Sequence, residues 1–229
     1  MYNFYILIIF AVMIPNIQEI ISHSGLHKSR VHNVYIFGSR VYGTHSDNSD
    51  WDIIIVANNS VDSIEIKSEI YNIHIYTPKK FQEDLDWHMP KNIECYFSPD
   101  WTKLQEKIKF DFTLDIKKLR HATSHVSSNS WVKCKKKLET GDYHIGIKSL
   151  FHSLRIPMFS TQLMKTGQID FTSANFIWNK LNRVDENWCH YSDLPSANSY
   201  KSWNWEELDL EFRELRNNIL TEFRKVTEK

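Results

Sequence analysis

The segment VYIFGSRVYGTHSDNSDWDI, residues 34–53, carries the strongest structural signal in this chain. Its apolar run 34–37 predicts one strand, and residues 50–56 predict a second strand. Because strand side chains alternate between two faces, Asp50 and Asp52 point the same way. Two adjacent carboxylates repel each other unless a cation lies between them, and hard oxygen ligands favour magnesium or manganese. The two aspartates therefore predict a divalent-metal site.

The Gly38-Ser39 pair directly follows the first predicted strand. In such a turn, backbone N–H groups and a hydroxyl can approach a phosphate closely. Together with the two aspartates, the Gly-Ser turn indicates a site for a metal-bound nucleoside triphosphate.

This arrangement resembles the DNA polymerase β-like superfamily of nucleotidyltransferases. The signature of that superfamily is an apolar residue, Gly-Ser, a spacer of about ten residues and then Asp-x-Asp in an apolar strand. Here the spacer is residues 40–49, and residues 53–56 continue the strand. The resemblance implies transfer of a nucleoside monophosphate from a nucleoside triphosphate, with ATP as the expected nucleotide, to a hydroxyl acceptor. It also implies that Asp50 and Asp52 hold Mg²⁺ (or Mn²⁺).

The resemblance assigns roles to further residues of the stretch. Gly38 and Ser39 would cradle the β- and γ-phosphates, Arg40 would neutralise their charge, and Ser49 would complete the nucleotide-binding pattern. An ordinary surface role for Arg40 has equal weight. Catalysis would then rest on positioning and electrostatics rather than on covalent chemistry by the protein.

Most members of the superfamily carry a third carboxylate on the following strand, and here that position falls on Asn72. Asparagine can ligate a metal through its carbonyl oxygen but cannot take up a proton as a base. Glu69 or Glu94 would supply the carboxylate if the strand register differs, and His74 could act as the base. The alternative function is therefore a catalytically impaired nucleotide-binding protein that works through interaction.

Lys148, His152 and Arg155 are spaced so that they share one face of a predicted helix. A helical domain that closes over the nucleotide would bring this face to the phosphates or to the acceptor. A solvated helix face is the alternative, and the sequence leaves both open.

The pattern predicts an α+β protein, with a small mixed-sheet catalytic domain over residues 1–110 and an all-helical domain over residues 111–229. The predicted elements outside residues 34–56 are a helix over 15–24, one or more strands within 64–76, a helix from Pro78 with Thr77 as its cap, a short strand or turn over 93–97, helices over 114–125, 130–139, 143–165 and 169–182, a loop over 187–205, and a final helix with an apolar stripe from Leu208 to Val226.

Composition limits the classes of partner and compartment. Lys+Arg and Asp+Glu are both 28, so the chain lacks the overall positive charge of dedicated duplex nucleic-acid binders. The acceptor is expected to be a small molecule, a protein or an RNA end. Three cysteines without a Cys-x-x-Cys spacing indicate neither a disulfide framework nor a zinc site, and they fit a reducing compartment.

The first fourteen residues are almost wholly apolar, which raises the question of a signal peptide or membrane anchor. No Lys or Arg precedes Lys28, and the run is shorter than the ~20 residues needed to span a bilayer. A natural start at Met13, or a buried N-terminal extension, is the preferred interpretation. We therefore expect a cytoplasmic protein without a membrane partner.

Overall fold

The computed structural model of the chain describes residues 14–182 and 204–228. In these ranges a mixed five-stranded sheet is followed by long helices, which confirms the predicted α+β class. The strands are β1 (Val31–Phe37), β2 (Trp51–Ala57), β3 (Ser63–Lys67), β4 (Tyr71–Tyr76) and β5 (Lys103–Glu106). The helices are α1 (Ile17–His23), α2 (Ser39–Tyr42), α3 (Pro78–Asp86), α4 (Pro90–Tyr96), α5 (Ile116–Glu139), α6 (Tyr143–Thr166), α7 (Asn175–Leu181) and α8 (Trp205–Thr227).

The order of the strands places the predicted acidic pair in the middle of the sheet. The order is β3-β4-β2-β1-β5, and β2 pairs parallel with β4 and antiparallel with β1. In this register Asp52 lies between Phe37 of β1 and Asn72 of β4. The side chains at the start of β2 and β4 therefore meet at the same end of these two parallel strands.

Strand β2 is covered on both faces. Ile53 and Ile55 point to one face and Ile54 to the other, and all three side chains are fully buried. The hydrophobic cluster that contains Ile53 and Ile55 continues into Leu150 and Leu154 of α6, while Ile54 packs in a second cluster with residues of α3 and α4. A strand buried on both sides is expected to be an uninterrupted apolar run, as 53–56 is.

Several predicted elements are confirmed because their ends carry strong local signals. The Thr77 side chain accepts a hydrogen bond from the Lys80 backbone N–H, and Pro78 occupies the first position of α3. Gly167, at φ 72°, ends α6 in the left-handed conformation that glycine adopts without strain. The apolar stripe of α8 faces the core, since Leu208, Phe212 and Phe223 are buried.

The prediction of a short strand or turn over residues 93–97 was wrong. These residues belong to α4, which begins at Pro90 and ends at Tyr96. Proline is favoured in the first helical turn because its missing N–H has no intrahelical partner there. Asn92, Ile93, Glu94 and Cys95 are all buried, so one turn of this helix is enclosed and its run of buried residues resembles a strand in sequence.

Two other predictions placed helix ends incorrectly. The two helices expected over 114–125 and 130–139 form one helix, α5, because the buried Ser127 hydroxyl donates to the Ser153 carbonyl at 2.6 Å instead of interrupting the helix. The helix expected over 169–182 is limited to α7, since Asp170 accepts hydrogen bonds from the Thr172 backbone and hydroxyl in a turn.

Two points concern the ends of the described ranges. The loop predicted over 187–205 lies almost wholly outside the residues that the structure describes. The helices within residues 14–182 and 204–228 include none that combines the length and the apolar composition of a membrane-spanning helix.

Candidate functional site

Gly38 lies against Asp52 so closely that only glycine fits. Gly38 adopts φ 81° and precedes α2, so the Gly-Ser segment is the start of one helical turn. A Cβ atom built on Gly38 would lie 2.2 Å from the Asp52 Oδ2 atom. The backbone conformation and the missing side chain therefore together bring the Gly38-Ser39 backbone up to the carboxylate.

Asp52 is a carboxylate in an unfavourable environment. Burial, and then the charge of Asp50, raise its pKa from 3.8 to about 6, while a hydrogen bond from Asn72 opposes the shift. That bond runs from Asn72 Nδ2 to Asp52 Oδ1 at 3.1 Å. The Asn72 Oδ1 atom is buried and has no hydrogen-bond partner among the described residues. The site thus presents a poorly solvated carboxylate and one unpartnered amide oxygen, both of which a cation would stabilise.

Asp52 and Asn72 lie at one end of a cleft of about 590 Å³, whereas Asp50 is not among the residues that line it. Gly38, Ser39, Asp52 and Asn72 line it from the sheet, and Lys148 is among the residues that line it from α6. The cleft is therefore formed jointly by the sheet region and by the helices that follow it, and its dimensions suit a small ligand.

Comparison with known proteins bears directly on this geometry. Residues 16–96 match the family model described as "Polymerase beta, Nucleotidyltransferase". The matched segment contains the Gly-Ser turn, Asp50, Asp52 and Asn72, and the match is to the kind of domain that the sequence pattern resembles. A solved structure to which the chain is similar is spectinomycin adenyltransferase AAD(9) from Enterococcus faecialis with ATP and spectinomycin, at 13% identity and a TM-score of 0.44, over 91% of this chain and 96% of that chain. No curated protein matches the chain.

Two lysines flank Asp52 in the cleft. Lys91 of α4 and Lys148 of α6 both lower the pKa of Asp52 through their charge. Burial lowers the pKa of Lys91 itself. Sequence reasoning identified Lys148 but missed Lys91, because only the packing of α4 against the sheet brings that side chain to the cleft. The two ammonium groups make this end of the cleft suitable for an anion.

His74, the alternative base, also lines the cleft. Its Nδ1 atom lies 3.4 Å from Lys91 Nζ, and its Nε2 atom lies 3.6 Å from Glu65 Oε1. Burial, and then the charge of Lys91, lower the pKa of His74 to about 4. The imidazole is therefore neutral near pH 7.

The three residues on the predicted α6 face all line the cleft, but they differ in what they contact. Lys148 has no ion-pair partner among the described residues. Arg155 is buried, and its Nη1 atom donates to Glu94 Oε1 at 2.6 Å. Arg155 Nη2 lies 3.2 Å from His152 Nδ1, which must act as the acceptor because arginine only donates. Burial, and then the charge of Arg155, lower the pKa of His152 to about 3.

Arg40 and Ser49 lie outside the lining of the cleft, in the loop that leads to Asp50. The Arg40 guanidinium lies 4.0 Å from the centre of the Trp51 ring, and its Nη2 atom donates to the Ser49 carbonyl at 2.5 Å. The Ser49 hydroxyl accepts from the Ser46 backbone N–H. In these positions both residues shape the loop before Asp50, which is half-buried.

The other candidates for the third carboxylate are placed differently from Asn72. Glu69 is exposed in the connection between β3 and β4. Glu94 lines the cleft but is engaged by Arg155 and by the Tyr42 hydroxyl. Asn72 is the strand partner of Asp52, and its side chain contacts that carboxylate.

Proposed function

We propose that this chain transfers a nucleoside monophosphate from a metal-bound nucleoside triphosphate, ATP first among them, to a hydroxyl group. The observation that carries the proposal is the placement of Gly38, Ser39, Asp52 and Asn72 together at one end of a cleft shared with α6. The match of residues 16–96 to the nucleotidyltransferase family supports the reaction class. In this proposal residues 1–110 are the catalytic domain and residues 111–229 the helical domain.

The residues present fit a divalent cation such as Mg²⁺ or Mn²⁺. Asp50 and Asp52 would be its protein ligands, and the unpartnered Asn72 Oδ1 is a further oxygen donor beside them. Within the described residues, no group of three or more His, Cys, Asp and Glu side chains is arranged to hold a metal ion. Triphosphate oxygens would therefore have to complete the coordination. A bound cation would neutralise the charge that develops as pyrophosphate leaves.

Four further residues of the cleft are assigned to binding of the triphosphate. The Gly38 and Ser39 backbone, the Ser39 hydroxyl and the ammonium groups of Lys91 and Lys148 would bind phosphate oxygens. Arg40 and Ser49 would act by holding the loop before Asp50. Placement of phosphates by fixed charges and dipoles is the main source of rate in phosphoryl transfer.

Asn72 decides between the proposed transferase and the alternative, an impaired nucleotide-binding protein. If Asn72 occupies the position of the third carboxylate, general-base assistance worth about 10²–10⁴-fold in rate is missing. The metal-binding pair would still bind the nucleotide. We rank transfer first, because positioning and electrostatics supply most of the acceleration in this reaction class.

The acceptor in this proposal is a small molecule, a protein or an RNA end, in the cytoplasm. Among the described residues, Cys95 and Cys134 are buried free thiols, as expected in a reducing compartment. The chain carries equal numbers of basic and acidic residues, which argues against a surface dedicated to duplex nucleic acid.

Transfer of a labelled nucleotide tests this function. The protein, Mg²⁺ and each α-³²P-labelled NTP are incubated separately with total RNA, with a protein extract and with a metabolite extract. We expect label in one acceptor fraction, and none with the Asp50→Asn/Asp52→Asn double variant. Nucleotide binding without transfer to any fraction would favour the impaired nucleotide-binding protein.

A further inference from the structure

Tyr42, Glu94 and Arg155 form a buried network that joins three helices. The three residues are 4%, 5% and 3% exposed and belong to α2, α4 and α6 respectively. The Tyr42 hydroxyl donates to Glu94 Oε2, and Arg155 Nη1 donates to Glu94 Oε1 at 2.6 Å. The Arg155 guanidinium also stacks on the Tyr42 ring, with 4.0 Å between its central carbon and the ring centre.

The network ends at the turn that carries Gly38 and Ser39. Tyr42 is the last residue of α2, and the backbone N–H groups of Val41 and Tyr42 donate to the Gly38 carbonyl at 3.0 and 3.2 Å. A four-residue helix is far too short to be stable alone, because nucleation of a helix is unfavourable. The orientation of α2 must therefore come from its tertiary contacts. The polar ones include those of Tyr42 with Glu94 and Arg155 on the side of the helices, and that of Arg40 with the Ser49 carbonyl on the side of the loop.

Arg155 uses two of its five N–H donors inside the protein, and its buried Nε atom has no hydrogen-bond partner among the described residues. Its Nη1 is bonded to Glu94 and its Nη2 to His152 Nδ1, and one face of its guanidinium is covered by the Tyr42 ring. Desolvation of a buried ion pair offsets much of its attraction, and replacing such a pair by apolar residues is often neutral for stability. A contribution to stability alone therefore does not explain why the Arg155–Glu94 ion pair occupies this buried position.

We propose that Tyr42, Glu94 and Arg155 are positioning residues, which hold the Gly38-Ser39 backbone at its distance from Asp52 and couple it to the helices after the sheet. Arg155 then acts through Tyr42 and Glu94 and does not itself bind the triphosphate. The part of this inference that concerns nucleotide affinity rests on the proposed function; the part that concerns the geometry of α2 does not.

Hydrogen exchange without nucleotide tests the positioning directly. The amides of Val41, Tyr42 and Thr44 are bonded to the Gly38 and Ser39 carbonyls, so their exchange rates report the order of α2. Tyr42→Phe keeps the ring and removes its bond to Glu94. We expect these amides to exchange at least about tenfold faster in this variant, the effect of losing one hydrogen bond to a charged group. Unchanged exchange in both Tyr42→Phe and Glu94→Gln would overturn the proposal.

A matched control is available in Tyr35, a second buried tyrosine whose hydroxyl contacts a glutamate, Glu106, at 3.3 Å. Tyr35→Phe should leave the exchange of the α2 amides as in the wild type. If it accelerates exchange there as much as Tyr42→Phe does, general destabilisation explains both variants and the positioning role is lost.

Mg-ATP affinity then separates positioning from direct binding. The network predicts that Tyr42→Phe, Glu94→Gln and Arg155→Met each weaken Mg-ATP binding, by about tenfold for Tyr42→Phe. A loss confined to Arg155→Met would make Arg155 a phosphate ligand and would overturn the proposal. A wild-type protein that binds no nucleotide would contradict the proposed function, while the exchange rates would still decide the role of the network.

Discussion

Replacing Asp52 by asparagine should make the metal-free protein more stable. Burial and the charge of Asp50 raise the pKa of Asp52 from 3.8 to about 6, so the folded state holds this carboxylate in an unfavourable environment. A shift of about two units corresponds to about 3 kcal/mol, at about 1.4 kcal/mol per unit. Asparagine keeps the Oδ1 acceptor for the bond from Asn72 and removes the charge. Such a penalty is expected where a carboxylate is placed for a ligand rather than for stability.

The sign and pH range of the effect follow from linkage. Because the pKa is higher in the folded protein than in the unfolded chain, the wild type loses stability as pH rises from about 4 to about 6. The free energy of unfolding of Asp52→Asn should therefore exceed that of the wild type by about 3 kcal/mol at pH 8, and by under ~1 kcal/mol at pH 4. For a chain of this length, the difference at pH 8 corresponds to about 6–12 °C in Tm.

The assay is thermal or urea unfolding in EDTA at pH values from 4 to 8. Asp47→Asn, which changes an exposed carboxylate in the loop before Asp50, is the control and should differ from the wild type by less than about 0.5 kcal/mol. An Asp52→Asn protein that is no more stable than the wild type at pH 8, or whose gain in stability does not depend on pH, would show that the Asp52 carboxylate is not destabilising in the folded protein.

Three further substitutions test separate parts of the site. Gly38→Ala should abolish Mg-ATP binding and lower the free energy of unfolding by about 2 kcal/mol or more. Gly141→Ala, at φ 76° with open space around it, is the control and should lower the free energy of unfolding by only about 1 kcal/mol. Equal losses of stability and intact binding would contradict the close approach of Gly38 to Asp52. Asn72→Asp should raise the rate of transfer by about 10²-fold or more with little change in nucleotide affinity, as single-turnover kinetics would show, and a rate that stays the same or falls would mean that Asn72 does not replace a base. Lys148→Met should weaken Mg-ATP binding by about tenfold or more in calorimetry, whereas Lys136→Met on the exposed face of α5 should leave it unchanged. Similar affinities for both variants would show that Lys148 does not bind phosphate.

The elements that sequence predicts well are those whose signals are local. Strand β2 contains a run of β-branched residues directly after Asp52. Helix α3 begins with a Thr-Pro cap whose hydrogen bond forms within the same turn. The continuity of α5 depends instead on a hydroxyl–carbonyl bond between Ser127 and Ser153 of another helix. The strand-like pattern of residues 93–97 likewise reflects burial of α4 on several sides, which no periodicity within those residues reveals.

The candidate site divides in the same way. Gly38, Asp52 and Asn72 could be proposed from sequence, because a strand, a turn and one parallel strand pair bring them together. Lys91 and Tyr42 could not, since only the packing of α4 and α6 against the sheet gives them their roles. Arg155 was identified on the correct helix face, but its engagement by Glu94 depends on contacts across 61 residues of sequence.

Binding of a metal–nucleotide complex at Asp50 and Asp52 can be measured by calorimetric titration of the protein with each NTP, in Mg²⁺ and separately in Mn²⁺. We expect saturable binding of at least one metal–nucleotide complex, with ATP as the first candidate, and we expect that binding to disappear in EDTA. We also expect that the Asp50→Asn/Asp52→Asn double variant loses that binding while it remains folded. The absence of binding of all four NTPs to the wild type in both metals, or undiminished binding to the folded double variant, would contradict the account.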